Sequence, residues 1–395
     1  MESKISSRLR NLEEYVFFGV AEAKKKALLS GKDIIDLGGG NPDLPPHPKI
    51  VEALKKAADN PENHRHPIYE GLPELKQAVV LWMKKRFDLD LDPESEVLIL
   101  LGSKEGIAHV SWAFIDSGDM ALIPDPAYPV FKRGVILAGG EPILMSLLKQ
   151  NRWLPDFEDI KKEDLSRAKL LFLNYPNNPT GALADKGFLQ RAVDFAKENE
   201  IIICQDMAYS EITFDNIRSE STLKIDGAKE NCLEFFSFSK TYGMTGWRLG
   251  FVVGNSKLID TLRQVEVNVN SGAFHVLQKA ACMALSLEEK DIDQVRQTYQ
   301  ERRDVLVAGL KELGWEVENP KGGIFVWAKI PYGLDSKKSD FGSWGMANLL
   351  IEKAGIMTTP GAGLGPSGEG YLRFSLIENK ERLKEAVQRM KSLEL

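Results

Sequence analysis

The residues most capable of chemistry stand in one short segment, S-F-S-K-T-Y-G-M-T-G-W-R at positions 237–248. A lysine amine forms an imine with a carbonyl group only after it loses its proton, and burial of Lys240 would lower its pKa in that direction. Ser237 and Ser239 offer hydroxyl donors, and the guanidinium of Arg248 can bind a phosphate through two hydrogen bonds. The isolated segment also fits a surface lysine in a loop. If Lys240 is buried, the segment predicts a Schiff-base lysine beside an anion site, the two features that pyridoxal 5′-phosphate requires.

Two apolar runs upstream end in polar residues, as parallel strands do where they meet a binding site. The run at 201–204 precedes Asp206 and Tyr209. A carboxylate here can pair with a protonated pyridine nitrogen, and the tyrosine could hydrogen-bond the ring's phenolic oxygen. The run at 170–173 leads into N-Y-P-N-N-P-T-G, where prolines flank Asn178 and suit its amide to donate to a cofactor oxygen. A helix N-cap at Asp206 and a plain loop around Asn178 are the structural alternatives.

These motifs together resemble the class I and II aminotransferases, which are pyridoxal-phosphate-dependent enzymes of fold type I, in the expected order over nearly the whole chain. The resemblance implies three catalytic residues: Lys240 binds the cofactor covalently, Asp206 faces the pyridine nitrogen, and Tyr209 acts beside them. The other cofactor-binding residues that it implies in these motifs are Asn178 at the ring oxygen, with Tyr209, and Ser237, Ser239 and Arg248 at the phosphate.

Further cofactor positions lie towards the N-terminal side of the chain. At 97–107 an apolar strand turns into a helix, and free backbone N–H groups of Ser103 and Lys104 would bind phosphate there. By resemblance, Tyr128 stacks on the cofactor ring, and Tyr69 reaches the phosphate of the neighbouring subunit, which makes a homodimer part of the prediction. Without the family, either tyrosine would be a packing residue beside a proline turn.

Arg373 and Gly40 are the substrate-binding candidates, together with Asn178. Arg373 lies in the apolar run Y-L-R-F-S, where an unpaired charge is costly, so a structural salt bridge is the alternative. The family uses this arginine to bind the substrate α-carboxylate. By resemblance, Gly40 contacts the substrate through its backbone. The glycine-rich stretches at 38–43 and 361–365 lack the pattern of a dinucleotide site, which disfavours a nicotinamide oxidoreductase.

The resemblance implies transfer of an amino group from an L-amino acid to a 2-oxo acid in a ping-pong reaction. Residues 38–46 and 102–109 are similar to the branch that contains LL-diaminopimelate aminotransferases and their aspartate- and alanine-using relatives. We therefore expect LL-diaminopimelate with 2-oxoglutarate, with alanine or aspartate as alternatives. The sequence leaves open whether Glu266 and residues 268–270 face the substrate. Lyases and decarboxylases of the same fold also stay open, because a fold does not define a reaction.

The pattern of elements predicts an α/β protein with two lobes. Strand-like and helical runs alternate from about 95 to 255, which favours a parallel sheet with crossover helices. By resemblance, a large lobe at 36–275 holds a mostly parallel seven-stranded sheet flanked by helices, and residues 1–35 and 276–395 form a smaller α+β lobe. The later helices are expected at 261–289 and 294–313. The charged residues expected on a solvated face of the second are Arg296, Glu301, Arg302, Arg303 and Asp304.

Composition excludes several other classes of function. The net charge is −6 over 395 residues with both signs interspersed, which argues against a nucleic-acid footprint. No apolar run is long enough to span a bilayer, and residues 1–10 lack the apolar core of a signal peptide. Three widely spaced cysteines suit a reducing cytosol, so a cytoplasmic location is expected. The cysteines lack zinc-ligand spacing and the histidines form no His-Glu-x-x-His, so no metal is expected.

Overall fold

The computed structural model describes residues 4–29, 31–331 and 341–393. The strands are β1 (Ile35–Asp36), β2 (Val97–Leu100), β3 (Met120–Asp125), β4 (Glu141–Ser146), β5 (Ala168–Asn174), β6 (Ile202–Asp206), β7 (Cys232–Ser237), β8 (Gly250–Gly254), β9 (Glu316–Val317), β10 (Phe325–Lys329), β11 (Ile356–Met357), β12 (Thr359–Pro360) and β13 (Tyr371–Ser375). The α-helices are α1 (Ser7–Arg10), α2 (Val16–Leu29), α3 (Pro48–Ala58), α4 (Pro73–Phe87), α5 (Ser103–Phe114), α6 (Val130–Ala138), α7 (Lys162–Leu165), α8 (Lys186–Glu198), α9 (Phe238–Thr241), α10 (Ser256–Val269), α11 (His275–Leu285), α12 (Glu289–Glu312), α13 (Gly342–Leu349) and α14 (Lys380–Lys391).

A seven-stranded sheet in the order β2-β8-β7-β6-β5-β3-β4 lies at the centre of the fold. Its strands are parallel except β8, which runs antiparallel to both of its neighbours. Leu171 and Leu173 of β5 pack on one side with α4, α8 and α11, whereas Leu170 and Phe172 pack on the other with α5, α6 and α10. Because helices cover both faces, the inner strands are nearly continuous apolar runs. This confirms the predicted α/β fold with a mostly parallel seven-stranded sheet.

The carboxyl ends of the inner strands bring polar residues to one edge of this sheet. Asn174 of β5 is directly in register with Asp206 of β6, and Ser237 ends the next strand. At such an edge, backbone groups and side chains of several strands converge, and open parallel sheets bind their ligands there. The fold therefore places the three chemical segments of the sequence side by side.

A second, antiparallel sheet in the order β12-β13-β10-β9 packs against α12 and α14. Arg373 of β13 stands opposite Trp327 of β10 and Thr359 of β12, in the middle of this sheet. Residues 1–3, 30, 332–340 and 394–395, which fall in the expected small lobe, lie outside the described residues. The lobe boundaries at 35/36 and 275/276 stay a prediction.

The predicted helix at 261–289 is wrong, because the chain breaks it into α10 and α11. The side-chain oxygen of Asn270 accepts a hydrogen bond from the backbone N–H of Gly272 at 2.8 Å, and Gly272 has φ of +84°. A left-handed glycine after an asparagine turn ends a helix, so the apolar periodicity on either side belongs to two elements.

The expectation of a solvated charged face on α12 is also wrong for its three arginines. Their side chains are buried, whereas Asp304 of the same helix is exposed. Each buried guanidinium pairs with a carboxylate from a distant segment, which offsets the cost of burial. The pairs are Arg296 with Glu211, Arg302 with Asp43, and Arg303 with Asp215.

No helix in the described ranges has the length and apolar character needed to cross a membrane.

The packing of the central sheet yields a stability prediction. We expect Leu170→Ala, at a fully buried position of β5, to lower the free energy of unfolding by about 2–5 kcal/mol, because it removes apolar contacts and leaves a cavity. The matched variant Leu81→Ala, at an exposed position of α4, should change it by less than about 0.5 kcal/mol. Urea unfolding followed by circular dichroism measures both. Equal losses in the two variants would contradict the assigned packing.

Candidate functional site

A cavity of about 700 Å³ opens at the carboxyl edge of the central sheet. Tyr69 is the predicted site residue that does not line it within this chain; its side chain is 42% exposed and packs beside His66. The predicted residues that the cavity brings together are Gly40, Ser103, Lys104, Tyr128, Asn178, Asp206, Tyr209, Ser237, Ser239, Lys240, Arg248 and Arg373.

Lys240 lies on α9, the short helix that follows β7 directly. Its Nζ donates a hydrogen bond of 2.6 Å to the carbonyl oxygen of Gly40. Burial lowers the pKa of Lys240 to about 8, and the positive charges of Arg373 and Arg248 act in the same direction, while Asp206 opposes them. An amine with this pKa is still mostly protonated near physiological pH but has a far larger neutral fraction than an ordinary lysine. It can therefore act as a nucleophile or as a base.

Asp206 ends β6, and its Oδ1 accepts a hydrogen bond of 3.0 Å from the backbone N–H of Ala208. Burial raises the pKa of this carboxyl group to about 6, although the Ala208 hydrogen bond and the charge of Lys240 oppose the shift. The group is therefore ionised at neutral pH but held in surroundings that disfavour its charge. Such a carboxylate gains by pairing with a cation such as a protonated ring nitrogen.

Arg373 is a buried cation without a carboxylate partner among the described residues. Its Nη1 donates to Asn178 Oδ1 at 3.0 Å, and its Nη2 donates to the Gly38 carbonyl at 2.9 Å and to Thr359 Oγ1 at 3.1 Å. Its buried Nε has no partner, and the guanidinium lies 4.1 Å from the ring centre of Phe325. Burial lowers the pKa of Arg373 only to about 10, so it stays charged. Arg373 therefore forms no structural salt bridge among the described residues, so that alternative is wrong there. A buried guanidinium held by neutral acceptors is suited to bind an anion.

Tyr209 and Asn178 can donate hydrogen bonds into the cavity beside Lys240. Lys240 Nζ lies 5.8 Å from the ring centre of Tyr209, and burial raises the pKa of this tyrosine, so its hydroxyl keeps its proton. Since Asn178 Oδ1 accepts from Arg373, the amide N–H donors of Asn178 are left for a ligand. The Asn178 backbone N–H donates to Asn174 Oδ1, which fixes the loop after β5.

The start of α5 forms a cradle for an oxyanion. Gly102 is the N-cap of the helix, with φ of +96°. Ser103 and Lys104 are in the first turn, where backbone N–H groups have no partner within the helix. A Cβ on Gly250 would lie 2.7 Å from the Ser103 nitrogen, and a Cβ on Gly102 would lie 2.6 Å from Arg248 Nη2. Glycine at both positions lets the helix start and the guanidinium approach each other. The N–H groups of Ser103 and Lys104, together with the Arg248 guanidinium, form a donor set that fits a phosphate group.

Two serines of the β7–α9 turn complete this cradle. Ser237 Oγ accepts a hydrogen bond from the backbone N–H of Ser239 at 3.2 Å, so the Ser237 hydroxyl hydrogen is free to donate to an anion. Thr245 also lines the cavity, and its Oγ1 donates to the Ser239 carbonyl. Thr245 belongs to the same segment, 237–248, as Lys240. Its hydroxyl group could therefore have identified Thr245 as a site residue from the sequence.

The sequence analysis missed the aromatic residues before and within α2. Phe17 lies 5.1 Å from the Arg373 guanidinium, and its ring is 6.4 Å from that of Tyr128. Lys104 is exposed, and its Nζ donates to the Tyr15 hydroxyl at 3.4 Å. Burial raises the pKa of Tyr128, so its hydroxyl is protonated. Nothing in the local sequence marks Tyr15 or Phe17 as site residues, because their partners are more than 80 positions away.

Asp36 and Lys24 form an ion pair of 2.6 Å in the lining of the same cavity. Asp36 Oδ1 also accepts hydrogen bonds from the backbone N–H groups of Gly38 and Gly39, each at 3.1 Å. The carboxylate thus fixes the loop whose carbonyls contact Arg373 and Lys240. Sequence reasoning gave no role to either member of the pair.

Glu266 and Asn270 do not line the cavity in the described part of this chain; they lie behind α5. The carboxylates of Glu105 and Glu266 and the imidazole of His109 have ligand atoms within 4.8 Å of one another. The side-chain NH2 of Asn270 donates hydrogen bonds to both carboxylates. The protein itself therefore provides these carboxylate oxygens with hydrogen-bond donors. The expected absence of a metal stays a prediction.

Comparison with known proteins agrees with this site. The model of the family "Aminotransferase class I and II" matches residues 32–390. The chain is similar to LL-diaminopimelate aminotransferases of Moorella thermoacetica, at 46% identity over 97% of both chains, and of Aquifex aeolicus, at 45% identity over 99% of this chain and 100% of the relative. A substrate-bound structure of BacF from Bacillus subtilis superposes with a TM-score of 0.93, at 39% identity, covering 98% of this chain and 97% of that one.

The chain belongs to the class I and II aminotransferase family. It is an aminotransferase of fold type I that depends on pyridoxal 5′-phosphate and acts on amino acids and 2-oxo acids. The cavity fits this cofactor on the chain's own features: a buried lysine of lowered pKa, a carboxylate in need of a cation, and a glycine-lined cradle at a helix start.

The unfavourable burial of Asp206 yields a prediction about the cofactor-free protein. Because the pKa rises from 3.8 to about 6 in the folded state, the folded protein holds this proton more tightly, and its stability falls as pH rises from about 4 to 6. Above pH 6 the full penalty, about 3 kcal/mol, is present. We expect Asp206→Asn to raise the unfolding temperature of the cofactor-free protein at pH 8 and to have little effect at pH 4.

Thermal unfolding of both proteins at the two pH values measures this. A variant less stable than the wild-type chain at pH 8 would show that the carboxylate is stabilised in the empty site, contrary to the expected sign.

Proposed function

We propose that the chain transfers the amino group of LL-diaminopimelate to 2-oxoglutarate in amino-acid biosynthesis. The observation that carries the proposal is the buried guanidinium of Arg373, which shares one cavity with Lys240 and lacks a carboxylate partner among the described residues. A pocket for an amino acid needs such a cation for the α-carboxylate. Relatives that are about 45% identical over nearly their whole length carry the name of this activity, which supports this choice of donor.

The ion pair of Lys24 and Asp36 gives a second reason for this donor. Diaminopimelate carries an ammonium and a carboxylate at each end, so the end remote from the reaction is a zwitterion. A carboxylate and an ammonium in the lining of the cavity are complementary to those two charges. Alanine has no distal group, and aspartate has a carboxylate alone.

We assign the site residues the following roles. Arg373 binds the substrate α-carboxylate, with Asn178 and the Gly40 backbone beside it. Asp206 binds the pyridine nitrogen, and Tyr209 and Asn178 donate to the ring oxygen. Ser103, Lys104, Ser237, Ser239 and Arg248 hold the phosphate, and Tyr128 covers the ring. When bound, the cofactor supplies an aldehyde that accepts an amino group and a ring that withdraws electrons from the bond being broken.

Lys240 Nζ serves as nucleophile and then as the base that moves the substrate α-proton. Its lowered pKa supports this role, because a base works best when its pKa lies near the operating pH. The ionised carboxylate of Asp206 keeps a proton on the pyridine nitrogen. In the second half of the reaction, Lys240 would deliver a proton to the α-carbon that comes from the 2-oxo acid, which completes the new amino acid.

We also propose a homodimer in which Tyr69 reaches the phosphate of the neighbouring subunit. Tyr69 lies among exposed apolar side chains, with Ile68, Val269 and Phe274 each at least 40% exposed. Its loop is nevertheless held firmly, since Leu72 N–H donates to Gln278 Oε1 at 2.7 Å. A fixed loop that presents apolar side chains to solvent is suited to a partner surface.

The division into a large lobe at 36–275 and a small lobe from both ends of the chain is part of the proposal. The separate apolar clusters around the central sheet and around the antiparallel sheet support it. We further propose a cytoplasmic location, which the free thiols of Cys204, Cys232 and Cys282 favour.

The amino donor can be identified from the visible absorbance of the purified, cofactor-loaded protein. We expect LL-diaminopimelate to bleach the band of the lysine-bound cofactor, because the amino group stays on the cofactor when no acceptor is present. Alanine, aspartate, glutamate and an aromatic amino acid serve as comparisons. Addition of 2-oxoglutarate should restore the band.

Lys240→Ala is the control, and it should lose turnover by at least about 100-fold while the protein stays folded. Bleaching by alanine or aspartate alone would overturn the proposed donor in favour of those alternatives. A coloured protein that no donor bleaches would point to lyase or decarboxylase chemistry, and near-normal turnover of Lys240→Ala would contradict the catalytic assignment.

Mixed dimers test the role of Tyr69. A dimer of one Tyr69→Ala chain and one Lys240→Ala chain should contain one site with both intact residues, because the chain that keeps Lys240 receives Tyr69 from its partner, while the other site lacks both. We expect the separately tagged, purified mixed dimer to regain the activity of one wild-type site. Both parent homodimers should be much less active, and a mixed dimer no better than they are would mean that Tyr69 serves its own chain or none.

A further inference from the structure

Four polar side chains form a hydrogen-bonded network behind α5, away from the cavity: the half-buried Glu105 and Asn270 and the buried His109 and Glu266. His109 Nδ1 donates to Glu266 Oε1 at 2.9 Å. Asn270 Nδ2 donates to Glu105 Oε1 at 3.2 Å and also contacts Glu266 Oε2. The network therefore ties α5 to α10 through side chains that the proposed reaction does not use.

The charges of this network compensate one another. Burial opposes protonation of His109, but the hydrogen bond and charge of Glu266, with the charge of Glu105, raise its pKa above the ordinary value. Burial, together with the charge of Glu266, raises the pKa of Glu105. A carboxylate beside the imidazole favours its charged form, and the Asn270 amide satisfies carboxylate oxygens that remain. A network this well satisfied is rigid.

One end of the network fixes the start of α5. Glu105 Oε2 accepts a hydrogen bond of 2.9 Å from the backbone N–H of Leu101, the residue before the Gly102 cap. Glu105 is itself in the first turn of the helix, so its carboxylate closes the turn that carries Ser103 and Lys104. The direction of their N–H groups therefore depends on this contact.

The other end fixes the loop that carries Tyr69. Asn270 Oδ1 accepts from the Gly272 N–H at 2.8 Å, and this holds Gly272 against the loop. A Cβ on Gly272 would lie 2.7 Å from the Ile68 carbonyl oxygen and 3.1 Å from the Tyr69 Cα. The Asn270 side chain thus connects both elements to which we assign phosphate binding.

We propose that Glu105, His109, Glu266 and Asn270 are positioning residues that hold the α5 start and the Tyr69 loop in the geometry that binds the cofactor phosphate. The inference rests on the proposed cofactor site and the proposed role of Tyr69. It gives Glu266 and Asn270 a function without substrate contact. It also makes the two phosphate-binding elements of one chain, which serve different subunits, parts of one hydrogen-bonded unit.

The test compares the affinity of the cofactor-free dimer for pyridoxal 5′-phosphate and for pyridoxal, which lacks the phosphate. We expect Asn270→Ala to weaken binding of pyridoxal 5′-phosphate about tenfold, within the range of coupling through packed networks, and to leave pyridoxal binding unchanged. Asn268→Ala is the matched control, since Asn268 is exposed on α10 and its side-chain NH2 donates to the Gln264 carbonyl of the same helix. A residue with a general structural role would weaken both ligands equally.

Three further single variants keep the test decisive if Asn270→Ala fails to fold. Asn270→Asp keeps the acceptor for Gly272 but loses the amide donors, and should also weaken pyridoxal 5′-phosphate selectively. Glu105→Gln keeps an acceptor for Leu101 but places an NH2 against that of Asn270, so it should weaken binding of pyridoxal 5′-phosphate less than Glu105→Ala does. Combined with Tyr69→Phe, Asn270→Ala should cost less than the sum of the two single changes.

The outcomes separate this inference from the function on which it rests. A wild-type chain that does not bind pyridoxal 5′-phosphate would overturn the proposed function. A wild-type chain that binds it, with Asn270 variants that bind equally well or lose both ligands in parallel, would overturn the positioning role alone. Additive effects of Asn270→Ala and Tyr69→Phe would overturn the link to the Tyr69 loop.

Discussion

Lys240, Asp206 and Arg373 line one cavity, and the charges of Asp206 and Arg373 both act on the protonation of Lys240. Burial and the guanidinium of Arg373 lower the pKa of Lys240, and the Asp206 carboxylate partly restores it. Without the cation, the amine would hold its proton more tightly; without the carboxylate, it would hold it less. The cavity that brings these three groups together therefore sets the reactivity of the lysine, and the other residues of the site act by keeping the groups at their distances.

One short loop keeps two of these groups in place. The carbonyl of Gly38 accepts from Arg373, and the carbonyl of Gly40 accepts from Lys240. Arg373 belongs to the antiparallel sheet and Lys240 to the end of the central sheet, so the loop joins the two. Asp36 fixes the loop through two backbone N–H groups. A shift of the antiparallel sheet would therefore move the carboxylate-binding group and change the surroundings of the amine together.

The sequence was sufficient to identify the site residues that belong to short local motifs. Lys240, Asp206 and Asn178 each follow an apolar strand, and parallel strands end at a common edge, so their meeting in one cavity could be expected from the order of elements. It failed where the partner is distant. Arg302 looks like a surface residue until Asp43, 259 positions away, is seen beside it. Phe17 has no signal at all, because its contact with Arg373 exists only in the folded chain. The break after Val269 was missed because apolar periodicity continues across it.

The buried charges of the cavity are held by neutral groups and not by each other. Asn178 Oδ1 accepts from Arg373, and the backbone N–H of Ala208 donates to Asp206 Oδ1 at 3.0 Å. An amide satisfies the direction of a hydrogen bond without cancelling a charge, so Arg373 and Asp206 keep most of their electrostatic free energy for ligands of opposite sign. A direct ion pair between them would stabilise the empty protein and remove the attraction for a carboxylate and a pyridinium. These neutral amides thus preserve a costly, preorganised arrangement, whose charge complements the ligand without reorganisation when the ligand arrives.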